Sequence, residues 1–156
     1  MDMSAEKRLR ELGIVLPEVI APAGSYVKVL VLDGFAHVSG QGPFDTDGKP
    51  ITGQVPTERS FEDAVVAARA VGLQTLAVLR EELGSLDRVS QVVRTFGMVN
   101  AAPGFTRHPT VIDGFSNLMI DVFGEAGRGA RSAVGMSSLP FNISVEVEMT
   151  ARVTDA

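Results

Sequence analysis

The stretch Gly129-Ala130-Arg131-Ser132-Ala133-Val134-Gly135-Met136, followed beyond Pro140 by Val145-Glu146-Val147-Glu148-Met149, decides the reading of this chain. It sets one arginine on a Gly-punctuated strand and two carboxylates on a second. From Ser144 onward Val145, Val147, Met149 and Ala151 share one side, while Glu146, Glu148 and Thr150 share the other, the period of two expected of a half-buried strand. An always-charged guanidinium with a rigid fork of donors matches a carboxylate with two parallel bonds. Arg131 therefore points either to a bound acid or to a salt bridge with a glutamate, Glu146 among the choices.

Outward from these strands the elements alternate in kind. Tyr26 to Leu32 and Phe35 to Gly40 are β-rich runs joined by Asp33-Gly34, which predicts a two-residue type I′ hairpin. Phe61, Val65, Ala68, Gly72, Thr75 or Leu76, Leu79 and Leu83 recur every three to four positions and predict a helix from about Thr57 to Leu83, stopped by Gly84. Val92 to Val99 predicts a strand. Pro109 opens a further helix with the stripe Ile112, Phe115, Met119 and Val122. Ser4 to Leu12 reads as a short leading helix, and Ile14 to Gly24 as a Pro-interrupted lead-in. The division is residues 1–23, helix and lead-in, and residues 24–156, the main domain. The order β-β-α-β-α-β-β is α+β, a mixed sheet with two long helices on one face. Its other face carries Tyr26, Lys28, Leu30 and Leu32 and needs cover, most simply from further copies closed into a ring.

Composition narrows the function. At 156 residues the chain is one domain, burying roughly 70% of its unfolded surface. It has no cysteine, which excludes a thiol nucleophile, a Cys-based zinc site and disulfides. The net charge of −5 with scattered basic residues gives nucleic acid little to hold. No segment resembles a membrane span or a secretory h-region, so the chain reads as soluble, unexported and cytoplasmic. Asp45-Thr46-Asp47-Gly48 lacks the spacing of a calcium loop, and no metal is expected. His37 reads as a satisfied sheet histidine and His108 as a helix-entry residue.

Gly24-Ser25-Tyr26, Val38-Ser39-Gly40-Gln41, Val92-Val93-Arg94-Thr95, Ala130-Arg131-Ser132, Leu139-Pro140 and Val145-Glu146-Val147-Glu148 resemble, in order, the RidA/YjgF/YER057c/UK114 family of reactive intermediate deaminase-like proteins. The resemblance implies a chorismate-mutase-like fold of the bacillus type, assembled as a homotrimeric barrel with clefts between subunits. It implies hydrolysis of 2-imino and 2-enamino acids to 2-oxo acids and ammonia, without cofactor or metal. By the same resemblance Arg131 clamps the substrate carboxylate, Glu146 positions water and Tyr26 lines the cleft; Ser39, Gly40 and Gln41 either offer hydrogen bonds at the cleft edge or simply end a strand, and Ala133, two residues after Arg131, is a further substrate-binding candidate. The chain departs from the pattern at Gly129, usually Pro, and at Ala133, often Cys. Ser116 and Asn117 are the nearest counterparts of a site asparagine. These departures mark a divergent branch, in which a non-catalytic carboxylate-binding or regulatory trimer is the alternative, and endoribonuclease L-PSP-like activity, argued against by the charge, ranks third.

Overall fold

The computed structural model describes residues 4–155; residues 1–3 of the expected leading segment and residue 156 lie outside them. The elements are α1 (Ala5–Glu11), β1 (Val29–Leu32), β2 (Phe35–Gln41), α2 (Phe61–Leu83), β3 (Val89–Asn100), α3 (His108–Phe123), β4 (Ala130–Met136) and β5 (Val145–Val153). They form the expected mixed α+β layer: one sheet in the order β1-β2-β5-β3-β4, with only β3 and β4 parallel. No helix among the described residues is long and apolar enough to cross a membrane.

Local chemistry accounts for the boundaries. Asp33 and Gly34 both take positive φ, 50° and 79°, as a type I′ turn requires, and Leu32 pairs with Phe35. Helix α2 starts four residues after the expected Thr57 because the Ser60 hydroxyl, accepting from the Asp63 amide at 3.1 Å, caps it. Residues 54–59 instead form a turn in which the Gln54 carbonyl accepts from the Glu58 and Arg59 amides. Strand β1 is shorter than the expected Tyr26–Leu32. A bulge in β2 between Val38 and Gln41 interrupts its pairing with β5. Ahead of Val29 the chain meets β2 through single bonds, the Ser39 amide donating to the Lys28 carbonyl at 2.9 Å and the Ser39 hydroxyl to the Val27 carbonyl at 2.7 Å. Strand β3 is longer than the expected Val92–Val99 and carries two register shifts against β5.

The core lies between the sheet and the pair α2 and α3. Val145, Val147, Met149, Ala151 and Val153 of β5 face it, with Ile112, Phe115, Leu118 and Met119 of α3 and Leu76 and Leu79 of α2. Most of the second half of α2 is buried around its circumference, including Gln74 and Thr75, so its amphipathic reading understates its burial. Gly114 lets the helices touch: a Cβ there would run into the Val65 carbonyl oxygen of α2. Gly114→Ala gains about 1 kcal/mol of helix propensity. That gain is outweighed because a backbone carbonyl cannot swing aside, so net destabilisation of roughly 1–3 kcal/mol is expected in urea unfolding. An unchanged midpoint would mean that the helices are not in backbone contact.

Helix α1 joins this layer through Leu9 and sits beside α3, where Arg8 Nε donates to the Asp121 carbonyl at 2.8 Å. It thus packs on the helical side, while the lead-in that follows brings Ile20 to Ala23 back to the sheet near Tyr26. The sheet's second face is uncovered in the single chain, with Leu30, Leu32 and Val134 exposed on it.

Candidate functional site

The residues singled out in the sequence fall into two groups that a single chain keeps apart. Tyr26, Ser39, Gly40, Gln41 and Glu146 line one cavity of about 630 Å³, together with Lys28 and Glu148. Its floor is made by the β2 bulge, which shifts the backbone at Gly40 so that the Glu146 carboxylate lies over it. A Cβ at residue 40 would collide with Glu146 Oε1, so a side chain there would push the carboxylate from this position. Ser39 and Gln41 build the rim more than they face a ligand. The Gln41 amide donates to the Ser39 carbonyl at 2.8 Å, and its oxygen accepts from Lys28 Nζ at 3.5 Å. The Tyr26 hydroxyl accepts from the Ala23 amide at 3.4 Å, and the ring stays half exposed at the cavity mouth.

Glu146 is half-buried, and burial, reinforced by the nearby Glu148 carboxylate, raises its pKa above the ordinary glutamate value. None of the five ion pairs among the described residues involves it. Lys28 is shifted the other way: burial lowers its pKa, with the Glu81 carboxylate opposing.

Arg131 lies elsewhere. On β4 it is paired with Thr95 of β3, which is paired with Met149 on the core side of β5. Glu146 is paired with Met98, one pleat out of phase, and therefore projects from the opposite face. The reading of Glu146 as the structural partner of Arg131 is thus corrected within the chain. The partner is Asp113 of α3, whose Oδ1 accepts from Arg131 Nη1 at 2.7 Å. Ser116 Oγ accepts from the same nitrogen at 3.2 Å, and the Pro109 carbonyl accepts from Nη2 at 3.3 Å. Asp113, Ser116, Asn117 and Arg131 line a second, smaller cavity of about 230 Å³. Ala133 follows on the same side, opposite Gly97 and packed against the core.

Asp113 escaped the sequence reading because it stands beside Ile112 in an apolar stripe; only its spacing of three from Ser116 hinted at a shared face. His37 approaches the Thr150 hydroxyl at 3.4 Å, and His108 packs edge-on against Phe105, so both are accounted for locally. Asp45 accepts from the Asp47 and Lys49 amides and closes its own turn. Among the described residues no cluster of three or more acidic or histidine side chains could hold a metal ion.

The two groups sit toward opposite ends of the sheet, Arg131 on the edge strand β4 and the Glu146 cavity beside β1 and β2. One chain holds a guanidinium paired with Asp113 and a half-buried carboxyl of raised pKa, but not in one cleft.

Comparison with known proteins gives a consistent answer. Residues 6–153 match the protein-family model described as "YjgF/chorismate_mutase-like, putative endoribonuclease". Protein TCP17 of Trypanosoma cruzi is 43% identical over 141 residues, covering 90% of this chain and 88% of that protein. A crystal structure of a "putative endoribonuclease" from Shewanella oneidensis superposes with a TM-score of 0.91 at 32% identity, covering 97% of this chain and 100% of the other. A protein of unknown function from Agrobacterium tumefaciens gives 0.86 at 38% identity, covering 96% and 94%.

Proposed function

Because the chain belongs to the YjgF/chorismate mutase-like family, we propose that it is a hydrolytic deaminase of 2-imino and 2-enamino acids, working at a cleft formed where two copies meet. The observation that carries this reading is Glu146: a half-buried carboxyl without an ion-pair partner, its pKa raised, opening into a cavity of small-molecule size. Such a group is suited to exchange protons with a bound water, and general acid–base help of this kind contributes about 10²–10⁴ in rate.

In the reaction the substrate carboxylate sits on Arg131 and the C=N carbon faces the water held by Glu146. Glu146 takes a proton from that water as its oxygen bonds to carbon and the C=N π bond opens, and returns the proton to the nitrogen. The resulting carbinolamine collapses as its hydroxyl proton passes through Glu146 to the departing nitrogen and the C–N bond breaks, leaving the 2-oxo acid and ammonia. No redox step is involved, so atoms and charge balance with one water consumed.

Association that lays the uncovered face of one copy against the next, and carries the β4 edge of one to the Glu146 cavity of the other, would bring the two groups together and cover Leu30 and Leu32. Repeated three times it closes a ring, the homotrimer that we propose as the working form.

A non-catalytic carboxylate-binding role is the second reading, favoured by the separation of Arg131 from the Glu146 carboxylate within one chain. RNA cleavage is disfavoured by the net charge of −5. The experiment is ammonia release from imines generated in situ by an amino-acid oxidase. Acceleration over the uncatalysed rate supports the deaminase; carboxylate binding without acceleration supports the second reading.

A further inference from the structure

The connection between β4 and β5 carries an unusual turn. Phe141 and Asn142 are consecutive non-glycine residues with positive φ, 56° and 57°, a backbone region that L-residues rarely adopt. Asn142 holds the turn in place. Its side-chain oxygen accepts from the buried Asn100 amide at 3.0 Å, and its amide donates to Glu58 Oε2 at 3.3 Å. Its backbone carbonyl accepts from the Gly53 amide at 2.8 Å. Glu58 is kept below its ordinary pKa by the Gln54 amide and then by Asn142, so it remains an acceptor at neutral pH.

The product of this anchoring is a phenylalanine 80% exposed to solvent. Phe141 adds nothing to the core. It stands at the wall of the Glu146 cavity, to which Ile20, Phe44, Pro140 and Ile143 also contribute apolar lining. Strained backbone held by several independent bonds is characteristic of ligand clamps and active sites. The cavity volume of about 630 Å³ lies within the range of small-molecule pockets. An acid whose side chain is a single methyl group would leave much of this apolar wall uncontacted.

We propose that Phe141 is a specificity-determining residue, and that the cavity takes small 2-imino or 2-oxo acids with a bulky apolar side chain packed against it. This rests on the deaminase reading for the reaction, and on the cavity alone for the side-chain class.

The test uses the intact assembled protein, its Phe141→Ala and Phe141→Leu variants, and imines made in situ from leucine, phenylalanine and alanine. For the wild type, kcat/KM for the bulky imines exceeds that for the alanine imine by roughly 10-fold or more. Phe141→Ala brings that ratio close to one, while Phe141→Leu keeps most of it. A ratio that Phe141→Ala leaves unchanged overturns the proposal. So does a change in sedimentation of either variant, which would make Phe141 a subunit contact. If no imine is hydrolysed, the deaminase reading fails, and calorimetry with 4-methyl-2-oxopentanoate and pyruvate decides the rest. Tighter binding of the larger acid, lost in Phe141→Ala, upholds the apolar wall; equal binding, or none, overturns it.

Discussion

Glu146→Gln is expected to lower kcat for imine hydrolysis by about 10²–10⁴-fold while leaving KM nearly unchanged. The amide keeps the shape of the side chain over Gly40 but cannot take a proton from water. The same substitution has an opposite effect on stability. The folded-state pKa of Glu146 lies above the ordinary value of 4.5, so its stabilising contribution is fully present below 4.5 and is lost as pH rises through the folded value. Above that value the wild type holds an ionised carboxylate in a half-buried position beside Glu148, a cost that the neutral amide avoids. Thermal unfolding should therefore show the variant more stable than the wild type at neutral pH, with the difference vanishing in acid. A variant both inactive and less stable at neutral pH would make Glu146 a structural residue.

Arg131→Ala is the second large effect. Loss of a charge-assisted contact to a bound carboxylate is expected to weaken binding of a 2-oxo acid by about 2–5 kcal/mol in calorimetry. Arg131→Lys should restore little of it, since an ammonium cannot present two parallel donors. The fold should survive because the Asp113 side chain is 49% exposed and can hydrate when its partner is gone. Unchanged affinity would leave Arg131 as the partner of Asp113 and nothing more.

Much of the architecture is legible in single segments. The alternation through Val145 to Ala151 announces which face of β5 is core, Asp33-Gly34 announces its turn, and Ile112, Phe115, Met119 and Val122 announce the buried side of α3. What escapes a linear reading depends on pairing between distant segments. Whether Arg131 and Glu146 share a face is decided by the registers Thr95 with Arg131 and Met98 with Glu146, neither of which local pattern specifies. The bulge at Ser39 and Gly40 arises in the pairing of β2 with β5 and leaves only a Ser-Gly step as its trace. Phe141 shows no local sign of its left-handed backbone, because Asn100, Gly53 and Glu58, which hold its neighbour Asn142 in place, come from elsewhere in the chain.

The central claim is that a working site joins Arg131 of one chain to Glu146 of another. Arg131→Ala and Glu146→Gln subunits, each inactive alone, can be unfolded together, refolded as a mixture and assayed for imine hydrolysis. In a closed ring with random mixing, about one quarter of the sites receive both intact residues, so activity should return to about one quarter of the wild-type value. Assembly of mixed rings with no recovery of activity would contradict the account.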